Sequence, residues 1–431
     1  MVFRLAEDMR NRSKQIWNFR KIPGAGLTLV EIFMRRNMRT MEFIIVLLFI
    51  VISTGCNKSN SVENTSTTGY VYSVPEKTDD GWNTEDISKV GGEKAPLEEM
   101  MNYIKSANNH QLHNILIFKK GKLVFEEYFK TLNYYTSPPS LGSDSILYNK
   151  DLIHYLASES KSVTSILFGI AVKKGFITSD MNTILSSVLP QYSNILTGQK
   201  SNITLKSLLT MTSGLDWDEN SYPYGDQRND VTRLFYESDP IGFILSKNSH
   251  GLPGTVFRYN SGVTNVLGEI VRQKSGSTLL KFAEDNLFQQ LGITKDSWSK
   301  IRGNIYFASG GLSLRARDLA KIGLLFLTNG YWNGNEIVSK EWLDASSASY
   351  INPNTYGFAN GYGFQWWINS TQINGEQVKI IISAGLGEQY MMIIPSKETI
   401  VVFNCGYFGV PVNISPFLLF NNYIFRALDS D

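Results

Sequence analysis

Cysteine and histidine are scarce in this chain of 431 residues, which carries two of the first and four of the second. Cys56 and Cys405 alone cannot build a disulfide-stapled framework. Cys405 closes the apolar run Val401–Cys405, where a buried structural thiol is expected. His110, His113, His154 and His250 form no metal-ligand cluster. His110 and His113 have the spacing of one helical face, but no third ligand accompanies them, so no metal and no cofactor is expected. No G-x-S-x-G elbow occurs, which removes the alpha/beta-hydrolase route to a reactive serine. Internal repeats are lacking, and so is a large surplus of either charge: the formal net charge is +2. Residues 1–55 hold nine basic and four acidic side chains, which leaves the remainder slightly acidic. Nothing in that distribution reads as a nucleic-acid surface. Long apolar runs are missing too, since Phe43–Ile52 is too short to cross a bilayer comfortably.

What is present begins with an address. Met34 to Met41 is basic, Phe43–Ile52 is apolar, and Ser53-Thr54-Gly55-Cys56 supplies small residues before a cysteine. This is the layout of an export signal, and it resembles that of a bacterial lipoprotein, in which Cys56 would carry the lipid. The expected organisation is a non-native upstream extension over residues 1–33, a lipoprotein-type signal over 34–56, a flexible Ser/Thr/Asn-rich tether over 57–95, and one enzyme domain over 96–431. The expected location is outside the cytoplasm, held to a membrane by the lipid.

The domain has 42% hydrophobic residues in the whole-chain count, enough for a sizeable core. Periodicity predicts a helix over 96–108, strands over 114–118 and 122–129, and strands again over 365–368, 378–383, 389–394 and 399–405. A closing helix is predicted over 414–428, and mostly helix and loop from 162 to 343. The fold class expected is α+β: an antiparallel sheet built from both chain ends, flanked by helices, with a mostly helical subdomain inserted.

Chemistry concentrates at Ser158-Glu159-Ser160-Lys161, just ahead of a helical apolar run. Positions i and i+3 share a helical face, so the Lys161 amine can reach the Ser158 hydroxyl. A desolvated lysine can take the proton that makes serine a nucleophile. The same spacing at Ser297-Trp298-Ser299-Lys300 has no apolar helix behind it and is taken as coincidence. Two further segments follow in order: Tyr259-Asn260-Ser261-Gly262, and Ser383-Ala384-Gly385-Leu386 before an apolar strand.

These three motifs in this order resemble the serine beta-lactamase and penicillin-binding-protein-like superfamily, on its class C and esterase side, over Leu112 to Phe425. The Tyr-Asn-Ser-Gly form also resembles the 6-aminohexanoate-dimer hydrolase branch. The resemblance implies a groove where Ser158 is the nucleophile, with Lys161 and Tyr259 as the other catalytic groups and either of them the acylating base. It implies contacts to substrate from Ser261, which stands where the family has Asn, and from Ser383, which stands where relatives place a cation. Gly385 would admit the substrate backbone, and the N–H of Leu386 would join that of Ser158 as an oxyanion hole. Glu159, Ser160 and His154 are expected to serve structure, as first-turn charge, helix surface and packing. The expected activity is hydrolysis of a small ester or amide through an acyl-enzyme. Beta-lactamase or D,D-carboxypeptidase activity, or a non-catalytic binding module of the same fold, are the alternatives.

Overall fold

A computed structural model describes residues 69–428 apart from 108, 136–139, 355 and 374, so the sequence expectations for residues 1–68, Cys56 among them, lie outside the described residues. The central sheet has eight strands: β1 Asn83–Thr84, β2 Leu112–Lys119, β3 Lys122–Tyr128, β4 Gly361–Tyr362, β5 Trp367–Ile373, β6 Glu376–Gly385, β7 Gln389–Ile394 and β8 Thr399–Cys405. Their order is β1-β3-β2-β8-β7-β6-β5-β4. All neighbours are antiparallel except β1, which runs parallel to β3. The two chain ends meet where β2 pairs with β8, Phe118 opposite Ile400 and Leu116 opposite Val402. Strands β2, β7 and β8 are buried along their whole length, as expected of strands covered on both faces.

Five helical segments position the site or close the sheet: α1 Ala95–Ser106, α2 Ser160–Lys173, α3 Ser261–Ser275, α4 Ala316–Leu327 and α5 Pro416–Leu419. Helix α1 buries Leu97, Met100, Met101 and Ile104, the 3–4 stripe that its sequence shows. Helix α2 is buried almost all round, from Ser160 to Ala171, and packs against α3 and β6. Past α5 the chain makes a π turn over Phe420–Ile424 and one last α turn over Phe425–Ala427. Between the flanks the chain is mostly helix and loop, with short strands at His154–Tyr155, Asp296–Trp298 and Leu312–Leu314 forming a second small sheet.

Two expectations change. The predicted strand over 365–368 starts two residues late, because Gln365 sits at φ 64°, a left-handed conformation no strand residue adopts. Residues 70–95 are not a tether. Tyr72 and Trp82 are buried, β1 joins the sheet, and Trp82 packs on Phe118 with ring centroids 4.2 Å apart. Arg317, itself 2% exposed, binds Thr78 Oγ1 at 2.7 Å, Asp80 at 2.9 Å and the Glu76 carbonyl at 3.0 Å. Polar composition suggested a solvated segment; one buried guanidinium and two aromatic anchors hold it to the domain instead.

Candidate active site

Ser158 lies in a 3-10 turn over Ala157–Glu159 that leads into α2. Ala157 takes φ 48°, a conformation costly for a residue with a Cβ, so the turn is held by its surroundings. Ser160 Oγ donates to the Ala157 carbonyl at 2.7 Å and accepts from Leu312 N–H at 3.1 Å. Gly385 supplies the other restraint: a Cβ there would lie 2.4 Å from the Leu156 carbonyl oxygen, so β6 closes directly on the turn. Small hydroxyls along α2 tie it to neighbouring loops, Ser162 donating to the Gln365 carbonyl and Thr164 to the Ala308 carbonyl, both at 2.8 Å. Ser160, expected on the helix surface, is thus a buried anchor, as are Ser162 and Thr164.

Lys161 Nζ donates to Ser158 Oγ at 2.9 Å and to the Ser309 carbonyl at 2.9 Å. Lys161 is 2% exposed, and burial pulls its ammonium down to about 8, with Glu219 pulling the other way. Its nitrogen stands 4.8 Å from the centre of the Tyr259 ring. Tyr259 is half-buried and stacks on Trp367, with ring centroids 5.7 Å apart. Burial first, and the Glu219 carboxylate second, hold this phenol well above the usual tyrosine range. Asn260, next to it, caps α3 by accepting from Val263 N–H at 3.1 Å, which orients the Tyr259 turn.

The sequence-predicted residues divide into two groups. Ser158, Ser261 and Leu386 line one pocket of about 270 Å³; Lys161 adjoins it through Ser158, and the Tyr259 ring lies against Lys161. Leu386 is the first residue past the last β6–β7 pair, Gly385 with Gln389, which leaves its N–H outside the ladder. Ser383 and Gly385 do not face the pocket. The Ser383 hydroxyl, 1% exposed, donates to Glu159 Oε1 at 2.7 Å, and the Cβ side of Gly385 is taken up by the Leu156 carbonyl. Strand alternation explains the error: the motif fixed the position in the chain but not which face each side chain takes. Glu159 is likewise no surface charge. It is fully buried, and burial raises its carboxyl to about 8 despite the bond from Ser383.

Several residues of the site carried no assigned role in the sequence. Glu219, 4% exposed, accepts from Ser261 N–H at 2.8 Å, Ser261 Oγ at 2.9 Å and Trp217 Nε1 at 2.6 Å. Asn265 Nδ2 donates to Ser309 Oγ at 3.1 Å and Asn265 Oδ1 accepts from Ser309 N–H at 3.2 Å, which fixes the carbonyl that Lys161 uses. The segment Ala308-Ser309-Gly310-Gly311 is a visible signal of a tight approach; nothing local marks Glu219 or Asn265. The pocket wall is largely aromatic and aliphatic, with Tyr155, Tyr224, Val231, Phe235, Tyr236 and Phe307 around Ser158. Among its described lining residues there is no lysine, arginine, aspartate or glutamate. Arg258 is paired with Asp216 at 2.6 Å and Arg315 with Asp318 at 2.5 Å. The second S-x-x-K places Ser297 in one short strand, Asp296–Trp298, and Lys300 at the start of another, Lys300–Arg302, so no helical turn brings the two together. Among the described residues no group of three or more His, Cys, Asp or Glu could hold a metal ion.

Comparison with known proteins places this architecture. The chain is 25% identical over 268 residues to the 6-aminohexanoate-dimer hydrolase of Paenarthrobacter ureafaciens, covering 58% of this chain and 65% of that protein. It is 30% identical over 166 residues to the lovastatin esterase of Penicillium rubens, covering 33% and 39%. The chain therefore spans less than two thirds of either relative; both are hydrolases by name. In fold it is similar to the octameric penicillin-binding protein homologue from Pyrococcus abyssi, with TM-score 0.55 and 20% identity over 80% of this chain and 77% of that one. It is also similar to EstCE1, a hydrolase with promiscuous acyltransferase activity, with TM-score 0.58 and 14% identity over 78% and 98%. The family model described as Beta-lactamase matches residues 113–409, more than half of the sequence, and the chain belongs to the beta-lactamase family.

Proposed function

We propose that the protein is an exported, lipid-anchored serine hydrolase that cleaves an uncharged ester or amide through an acyl-enzyme on Ser158. The observation that carries this reading is the buried Lys161 amine, 2.9 Å from the Ser158 hydroxyl and lowered to about 8. With that value about a tenth of Lys161 is neutral at pH 7, enough to accept a proton. Ser158 Oγ attacks the carbonyl carbon as its proton passes to the Lys161–Tyr259 pair, and charge gathers on the carbonyl oxygen at the N–H groups of Ser158 and Leu386. Collapse breaks the bond to the leaving group, which takes up the proton through the Tyr259 hydroxyl. Water then attacks the acyl-enzyme and releases the acid.

The substrate class follows from the walls. An aromatic and aliphatic pocket favours an apolar group beside the scissile carbonyl. A penicillin, or a peptide ending in D-alanine, brings a carboxylate whose selectivity depends on a charge-assisted bond. Ser383 is engaged by Glu159, and Arg258 and Arg315 are each paired elsewhere. Esters and uncharged amides therefore rank ahead of beta-lactams. The Beta-lactamase family match and the hydrolase relatives support this reading, and the signal layout around Cys56 supports export and anchoring.

Intact-mass analysis after exposure to a fluorophosphonate probe and to a penicillin tests it directly. The expected result is a fluorophosphonate adduct on the peptide that contains Ser158, lost in Ser158→Ala, with p-nitrophenyl esters turned over well ahead of nitrocefin. An adduct elsewhere, or none, overturns the assignment of Ser158; a clear preference for nitrocefin overturns the substrate class.

A further inference from the structure

Lys161 Nζ holds two contacts, the Ser158 hydroxyl and the Ser309 carbonyl, each at 2.9 Å. A carbonyl can only accept, so in the neutral amine this contact takes up an N–H and leaves the lone pair free to face Ser158. Where the carbonyl stands therefore decides where the base points. The loop that carries it is held from two sides. From α2, Thr164 Oγ1 donates to the Ala308 carbonyl at 2.8 Å. From α3, the fully buried Asn265 accepts from Ser309 N–H through Oδ1 at 3.2 Å and donates through Nδ2 to Ser309 Oγ at 3.1 Å. Among the described residues, the Ser309 N–H and hydroxyl have no other hydrogen-bond partner. Asn265 Nδ2 donates also to the Ser261 carbonyl at 2.9 Å, so one amide spans two segments that line the pocket beside Ser158. Gly268, three residues on along the same face of α3, lets the loop close on the helix, since a Cβ there would lie 2.6 Å from that of Ala308.

We propose that Asn265 is a positioning residue: it fixes the Ser309 carbonyl, through it aims the Lys161 amine at the Ser158 hydroxyl, and by its bond to the Ser261 carbonyl ties that aim to the first turn of α3. This inference rests on the acyl-enzyme reading above. Asn265 reaches Lys161 only through Ser309. The amide suits the task because the loop presents a backbone donor, Ser309 N–H, and α3 a backbone acceptor, the Ser261 carbonyl; one side chain answers both. With the amide gone, the carbonyl that takes the Lys161 N–H loses its restraint from α3. The site then holds the same catalytic groups with the base less well aimed, and proton transfer depends steeply on that aim.

A brace that merely stabilises the fold and a brace that aims the base differ in what they do to a folded enzyme. kcat and KM for a p-nitrophenyl ester, and the rate of fluorophosphonate labelling at Ser158, are measured in the wild type, Asn265→Leu and Thr264→Val, each below its melting temperature. Asn265→Leu keeps the size of the side chain and removes all three hydrogen bonds. It should lower kcat and the labelling rate together by about tenfold or more, with KM changed by less than about threefold. The loss of labelling should persist at about pH 9.5, above the value near 8 of Lys161, where the amine is neutral. Thr264→Val removes the neighbouring buried hydrogen bond of α3, from Thr264 Oγ1 to Gln365 Oε1 at 2.6 Å, without touching the Ser309 loop. It should lower the melting temperature and leave kcat within about threefold of the wild type. A folded Asn265→Leu enzyme with kcat near the wild-type value overturns the proposal. So does a loss that vanishes at high pH, or an equal loss in Thr264→Val. Should Asn265→Leu fail to fold, Asn265→Ala, which leaves space for water, is held to the same outcomes. Absence of any label on wild-type Ser158 overturns the acyl-enzyme reading instead.

Discussion

Glu159 follows Ser158 in the chain, yet its side chain is buried against the sheet, where Ser383 donates to it. A carboxyl raised from 4.5 to about 8 by burial has a definite consequence for stability. Its folded value lies above its unfolded one, so its contribution is fully present below about pH 4.5 and is lost as pH rises through 8. Glu159→Gln keeps an acceptor for Ser383 and removes the ionisation. The melting temperature of this variant at pH 9 should exceed that of the wild type by at least about 2 °C, while at pH 5 the two should nearly coincide. Equal melting curves at pH 9 would falsify the buried, raised carboxyl. At this scale the sequence was informative where chemistry is local. Ser158 and Lys161 were legible because i and i+3 spacing dictates their approach. Glu219 and Asn265 were not, because each acts through contacts tens of residues away, with no period to mark it.

The meeting of β6 with the Leu156–Ala157 turn is the element-level event on which the site depends. Gly385 leaves room for the Leu156 carbonyl, and a methyl at that point meets backbone on one side and Gln389 Cβ, at 3.1 Å, on the other. Neither can swing aside as a flexible side chain would. Gly385→Ala should cost about 1–3 kcal/mol of stability by overpacking. It should lower kcat by at least about tenfold by displacing the nucleophile turn, with KM less affected. Steady-state kinetics beside a denaturant melt checks both; an unchanged kcat would mean that the turn is held by Ser160 alone. The strands and α1 were legible from alternation and the 3–4 stripe, to within a residue or two at most ends. The start of β5 was not, because Gln365 turns back to place its side-chain amide on the Leu208 and Leu209 carbonyls. That conformation is imposed by tertiary contacts and has no local signature.

Across the whole molecule, the described residues form a domain of the beta-lactamase family in which no helix is long and apolar enough to cross a membrane. Membrane attachment in the proposed reading therefore falls to Cys56. Cys56→Ala should move the protein from the membrane to the soluble fraction with ester hydrolysis unchanged, because stable anchoring depends on the acyl chains. Unaltered fractionation, or a wild-type Cys56 without a lipid by mass spectrometry, would remove the lipoprotein assignment.

The segment over residues 70–95, clasped by Arg317, bears on what happens when such an anchor is cut. A protease that cleaves ahead of Tyr70 should leave the domain folded, since every described contact of the arm is retained. Cleavage inside the arm would loosen Trp82 and β1 from the sheet, and Asp80 and Thr78 from Arg317, which would keep Glu126 as its remaining acidic partner. Losing a buried aromatic side chain such as Trp82 from the core costs about 3–5 kcal/mol, a large share of the stability of any domain. If the chain is anchored as proposed, cuts on the outer side of the arm should release a folded, diffusible domain, and cuts within it should deliver a molecule prone to unfold.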